Sequence, residues 1–176
     1  IAGSYDQDEF LSSLVKNFKY KFIRELGSEL GRFSRLFIGN IKSEASMFGW
    51  GMKRNPLFGG GDFLVVPIPL HNKRERWRGF NQAEILAREA FNENEYFKYE
   101  GKLIRSKYTK PQVKLSEAER QNNIKNCFVW QGKNLGGQNV ILVDDIVTTG
   151  ATLNEAARVL KEAGAGKVWG LVVAKG

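Results

Sequence analysis

Cysteine is almost missing from this chain: Cys127 stands alone among 176 residues. No internal disulfide can form, and no cysteine-rich metal cluster can be built, so zinc is not expected. Such usage suits a reducing cytoplasm, where the chain is expected to work. Histidine is equally scarce. His71 is the only one, and in a basic loop it reads as a solvated or locally hydrogen-bonded residue, which leaves no obvious general base. Cys127 reads as a small buried residue rather than a nucleophile. No apolar run approaches the roughly 20 residues of a membrane span, and no signal-peptide pattern opens the chain, so membrane insertion is not expected. Internal repeats and low-complexity segments are absent as well.

Acidic charge is in deficit. Against 27 lysines and arginines stand 19 aspartates and glutamates, a net charge of +8, which favours anionic partners such as phosphorylated small molecules or nucleic acid. The excess is concentrated. "KRERWR" from Lys73 to Arg78 holds four basic residues in six, and reads as a solvated loop. From Lys102 to Lys114 there are five basic residues and no acidic one. Trp77 and Tyr108 in these segments leave base stacking open. Apolar content of 42% and charged content of 26% are those of a globular chain able to bury a core.

Periodicity supplies the elements. From Phe10 to Phe37, apolar residues at spacings of three and four predict an amphipathic helix with a break near Gly27 or Gly31. Exposed apolar surface on it would make a homodimer unsurprising. The glycine-rich stretch that follows reads as a connection, with a short helix near Lys42 to Trp50. "FLVVPIPL" is a buried strand ended by Pro67 and Pro69. "NQAEILAREAFNENEYF" reads as a helix with Asn81 as its cap, though Asn81 and Gln82 could equally touch ligand. In the preceding "RGF", Gly79 reads as a turn and Phe80 as a packing residue. "GKLIRSKY" is a short strand. "LSEAERQNNIKNCF" reads as a helix, with a capping-box spacing between Ser116 and Glu119. "NVILVDDI" is a strand, "TLNEAARVLKEAG" a helix ended by Gly164, and "KVWGLVVAK" a final strand. Strand, helix and strand in this order favour an α/β fold with a mostly parallel central sheet flanked by helices. A helical region over 1–61 and a core over 62–176 form one compact unit.

One stretch carries chemistry. In "VILVDDIVTTGAT" a buried run ends in Asp144 and Asp145, and then a loop of hydroxyls and glycine opens a helix. Two adjacent carboxylates repel each other unless a cationic or hydroxyl-rich ligand binds. Ligands of open parallel sheets sit at the carboxyl ends of strands. Thr148, Thr149, Gly150, Ala151 and Thr152 can offer backbone and hydroxyl donors to a phosphate at the helix start. The carboxylates are then spaced to accept from vicinal ribose hydroxyls.

This stretch resembles the phosphoribosyl pyrophosphate (PRPP) motif of type I phosphoribosyltransferases. "PIPLHNKRERWRGFNQAEILA" and "RSKYTKPQVKLSEAERQNNIKNCF" further resemble the competence protein F family (ComF-like). The resemblance implies the type I phosphoribosyltransferase fold with an N-terminal helical hood over 1–61. It also implies a glycosyltransferase-class activity in which pyrophosphate leaves C1 of ribose through a transition state of oxocarbenium character. Asp144 and Asp145 are the implied catalytic residues. They would hold the ribose hydroxyls and, directly or through water, Mg²⁺. Residues 148–152 would bind the 5-phosphate. Pro67, Ile68 and Pro69 occupy the place of the family's pyrophosphate loop, and Arg76 and Arg78, or Arg105 and Lys107, are the cationic candidates beside it. PRPP or a nucleotide containing ribose 5-phosphate is the implied ligand. Single-stranded DNA and a competence helicase are the partners of the alternative reading, a DNA-handling accessory. The segment from Arg105 to Arg120 is expected to act as a flap.

Overall fold

Val140 to Val143 are four consecutive apolar residues, and all four are buried. A strand covered on both faces belongs in the middle of a parallel sheet, because each crossover lays a helix over one face. The computed structural model places it there, and describes residues 3–4, 13, 17, 25–47, 63–92, 97–109 and 122–175. In chain order the elements are β1 (Gly3–Ser4), α1 (Glu25–Met47), β2 (Phe63–Pro67), α2 (Asn72–Arg78), α3 (Gln82–Ala90), β3 (Phe97–Tyr99), β4 (Leu103–Arg105), β5 (Phe128–Trp130), β6 (Asn139–Val147), α4 (Ala151–Glu162) and β7 (Val168–Lys175). Five strands form one sheet in the order β1-β7-β6-β2-β3, and β4 pairs with β5 outside it. Every pairing within the main sheet is parallel, whereas β4 and β5 are antiparallel.

Alternation along the strands splits the core in two. Phe63, Val65, Ile141 and Val143 face Leu30 and Ile38 of α1 and Leu86, Ala87 and Ala90 of α3. Leu64, Val66, Val140 and Leu142 face Ala156, Val159 and Leu160 of α4, with Leu103 and Phe128 of the small sheet. Burying each of the Val, Leu, Ile and Phe side chains among them contributes about 1.5–3 kcal/mol. The sheet is therefore held between α1 and α3 on one face and α4 with the β4–β5 pair on the other.

Several local expectations are corrected. The first helix does not break at Gly27 or Gly31, but runs unbroken from Glu25 to Met47 and takes in the first part of the expected connection. Gly31 is a point of close approach: a Cβ there would fall on the Cβ of Glu89 in α3. Arg35 closes the same junction, its Nε donating to the Glu89 carbonyl at 2.9 Å. "KRERWR" is a helix rather than a loop. His71 caps α2 through Nδ1, which accepts from the Lys73 amide at 3.2 Å, and Gly79 ends it at φ +82 with its amide on the Glu75 carbonyl. The helix after Asn81 stops at Ala90, because Phe97–Tyr99 is taken up as an edge strand beside β2. Phe128 leaves the expected helix to begin β5, paired with Arg105. The expected helix start at Phe10, the connection up to Asp62 and the capping box at Ser116 and Glu119 lie outside the described residues; of that last helix, 122–124 is described and helical.

Replacing Gly31 by Ala tests the α1–α3 junction. Helix propensity alone would favour the change by ~1 kcal/mol, yet overpacking against Glu89 is expected to lower stability by about 1–3 kcal/mol in urea unfolding. A gain in stability would show that the two helices can separate freely.

Candidate functional site at the carboxyl end of the central strand

β2 gives out before β6 does. Pro67 pairs with Val143, and the Ile68 amide then donates to the Val143 carbonyl at 2.9 Å. β6 continues beside β7 as far as Val147. Asp144 and Asp145 thus lie just past the end of β2, where the sheet opens on that side. Val143 belongs to the α1–α3 core and Leu142 to the α4 core. By the same alternation the two carboxylates leave the strand on opposite sides. Asp144 is half-buried and Asp145 buried, 4% exposed. Each folds back on the chain: Asp144 Oδ1 accepts from the Asp145 amide at 2.8 Å, and Asp145 Oδ1 from the Ile146 amide at 2.7 Å.

The loop that follows is shaped for a helix start. Gly150 takes φ +77, a left-handed conformation costly for any residue with a Cβ, and its carbonyl accepts from the Asn154 amide at 2.9 Å. Thr149 Oγ1 accepts from the Ala151 amide at 3.4 Å. Thr148 is exposed, Thr149 and Thr152 half-buried and Ala151 buried. Gly150 itself brings no side-chain cap, which suits a helix N-terminus left open to an anion. A cavity of about 340 Å³ opens beside this loop, lined by Thr149, Ala151, Asn154, Glu155, Ile124 and Lys125 with Arg158. A larger one, about 420 Å³, lies between α3 and β3 and shares no residue with the motif. Tyr99 on its wall has its phenol pushed up to about 12, by burial first and the Glu84 charge next, with Arg88 opposing. A phenol so placed stays protonated at neutral pH.

The cationic candidates divide. Arg105 is buried, with Nη2 on Thr109 Oγ1 at 2.6 Å and its guanidinium 5.6 Å from the Phe128 ring centroid. Burial, and then the like charge of Arg74, depress its pKa, while Cys127 and Asp144 act to raise it. Arg105 therefore lies within the field of Asp144. Arg78 turns onto Gln82, Nη1 to Oε1 at 2.5 Å. Arg76 and Lys107 are exposed. Pro67, Ile68 and Pro69 stand beside the strand end, with Ile68 buried. Two groupings had no signal in the sequence. Tyr108 gathers His71, Lys73 and Arg74, at 5.3 Å from the imidazole centroid and 5.7 and 5.9 Å from the two cationic groups. Glu155 and Arg158 form the other. Glu155 Oε1 accepts from the Asn126 amide and from Arg158 Nη2, both at 2.7 Å, tying the chain before β5 to α4.

Metal-binding residues are sparse. Among the described residues no group of three or more His, Cys, Asp or Glu side chains gathers to hold an ion. Among the described residues the Asp144–Asp145 pair offers the oxygen donors that a hard divalent cation such as Mg²⁺ favours.

A parallel α/β sheet carries a hydroxyl-rich loop and an acidic pair at the end of its central strand, and comparison assigns such a chain to a family. The phosphoribosyl transferase domain family matches residues 78–175. Competence protein F of Haemophilus influenzae is 37% identical over 111 residues, 61% of this chain and 48% of that protein. Competence protein ComFC of Bacillus subtilis is 44% identical over 103 residues, 58% of this chain and 40% of that protein. DNA utilization protein YhgH of Escherichia coli (strain K12) is 34% identical over 159 residues, 90% and 64% of the two chains. The chain spans about half the length of these curated relatives. It belongs to the phosphoribosyl transferase domain family, as a ComF-like member.

Protonation tests the tie between Glu155 and α4. The hydrogen bond from Arg158 is the main cause that holds the Glu155 carboxyl below its ordinary value, against a burial effect that raises it. A depressed carboxyl stabilises the fold above its unfolded pKa, about 4.3, and loses that contribution as pH falls through the folded value. Glu155→Gln is expected to cost roughly 1–2 kcal/mol near pH 7. Measured as unfolding free energy against pH, the gap from the parent should hold down to about pH 5 and close below about pH 4. A gap that does not change with pH would mean the carboxylate charge is irrelevant.

Proposed function

We propose that this domain binds PRPP, or a nucleotide carrying ribose 5-phosphate, at the carboxyl end of β6, as a phosphoribosyltransferase-like protein serving competence-linked DNA handling. The observation that carries the reading is the ordering along one strand end. The acidic pair stands past the end of β2, and the left-handed Gly150 then turns the chain into α4. Asp144, the more exposed of the pair, accepts from the vicinal hydroxyls of ribose, and the buried Asp145 adds its negative charge behind it. The amides and hydroxyls of residues 148–152 receive the 5-phosphate, helped by the positive end of α4. The turn Pro67–Ile68–Pro69 receives pyrophosphate, and Arg105 lends positive charge from beneath Thr109. Asp144 and Asp145 would hold Mg²⁺, which would supply positive charge against pyrophosphate. The names of the relatives, competence proteins and a DNA utilization protein, support the cellular role.

Calorimetric titration of PRPP with and without Mg²⁺ tests this reading. Changing Asp144 and Asp145 together to Asn should weaken Mg²⁺-dependent binding by about tenfold or more, the loss of one charge-assisted hydrogen bond or more, with the thermal transition retained. Equal affinity in the double variant would remove the acidic pair from the site.

A second reading, single-stranded DNA on the basic surface, is favoured by one observation. Trp77 is 68% and Tyr108 55% exposed, and both lie among the cations of α2. Aromatic faces beside basic side chains suit stacked bases and a phosphate backbone. DNA affinity should then fall with salt at a log–log slope of about −0.7 per phosphate contacted. Lys73→Glu with Arg76→Glu should flatten that slope by roughly 1–2 and leave ribose 5-phosphate binding unchanged. No binding to an oligonucleotide at low salt would leave PRPP as the ligand of the domain.

A further inference from the structure

We propose that Asn81 is a positioning residue for the pyrophosphate half of the site: its side chain holds the Pro67–Ile68–Pro69 turn against the start of α3, in the conformation that receives the ligand. The role rests on the reading of that turn given above. Proline has no N–H, so Ile68 alone among the three can donate from the main chain. Its amide is spent on Val143 and its carbonyl accepts from Asn81 Nδ2 at 3.1 Å. Both peptide groups of the residue are thereby held, one by β6 and one by a single side chain thirteen positions on.

Asn81 is itself fixed. It is 8% exposed, extended at φ −97 and ψ 118, and its Oδ1 accepts from the Ala83 amide at 3.1 Å to cap α3. The two bonds settle the amide's orientation, since a flip would set NH₂ against N–H and oxygen against oxygen. Capping alone does not demand Asn. Ser and Asp cap comparably, but ionised Asp offers no donor to the Ile68 carbonyl and Ser lacks the reach. Requiring an acceptor and a donor on one short planar group leaves Asn. Just past the tether, the amides of Leu70 and His71 donate to no acceptor among the described residues, so two main-chain donors follow a carbonyl that is pinned away from them. A turn released from Asn81 loses the preorganisation that lets such donors meet an anion without reorganising.

The experiment is calorimetric titration, with Mg²⁺, of the parent, Asn81→Ser and Asn81→Asp, using PRPP and ribose 5-phosphate in parallel. Both substitutions keep a capping oxygen and remove the donor. Affinity for PRPP is expected to fall about tenfold, while that for ribose 5-phosphate stays within about twofold. Rescue of the cap without rescue of the ligand split is what separates positioning from mere stability, and thermal unfolding of each variant reports the cap. Unchanged PRPP affinity in both variants, or equal loss of both ligands, would overturn the role of Asn81 alone. A parent protein that binds neither ligand would overturn the reading of the site, and this role with it.

Discussion

Where β2 stops relative to β6 governs this molecule. Pro67 is paired with Val143, and no further residue of β2 continues the ladder. β6 goes on for four more positions with β7 as its only neighbouring strand. Main-chain groups left without a partner strand must be satisfied some other way. Here the amide of Asp145 is taken by the Asp144 carboxylate. The opening that results is bounded by the proline turn, the acidic pair and the start of α4. A register shifted by one residue would turn each aspartate to the other face and take the opening apart.

Charge is arranged around that opening rather than spread over it. Arg105 is buried against Phe128 and Thr109, with Arg74 donating to the Thr109 carbonyl at 3.2 Å above it. Burying a guanidinium is costly unless anions or hydrogen bonds compensate, and Asp144 contributes the opposing charge. The exposed cations of α2 do a different job. Lys73 and Arg76 stand in solvent with Trp77, where screening leaves them weak as structural pairs.

Much of this was legible beforehand. The strand Asn139–Val147, the helix after Gly150 and the last strand follow from an apolar run, a glycine and a period of 3.6, all local signals. The acidic pair and the hydroxyl loop are contiguous, so their order along the chain is their order in space. Asn81 could be seen as a cap, since capping involves residues two apart. The basic stretch from Lys73 to Arg78 has no apolar stripe, so no local signal marks it as a helix. It is a helix because His71 and Gly79 close its ends and because Arg74 reaches Thr109, a partner 35 positions away. Gly31 looked like a break for a similar reason: its lack of a side chain serves α3, not α1.

By itself the sequence determined the class of fold and the family, because each depends on neighbours within a few positions. The tertiary structure decided everything that rests on distant pairing. Phe97–Tyr99 and Phe128–Trp130 became strands because β2 and β4 offered them open edges. Arg105 became a buried cation against Phe128 and Thr109, and Asn81 became the tether of the Ile68 carbonyl as well as a cap. Local propensity is too weak to choose between such outcomes, and hydrogen bonds across the fold settle them.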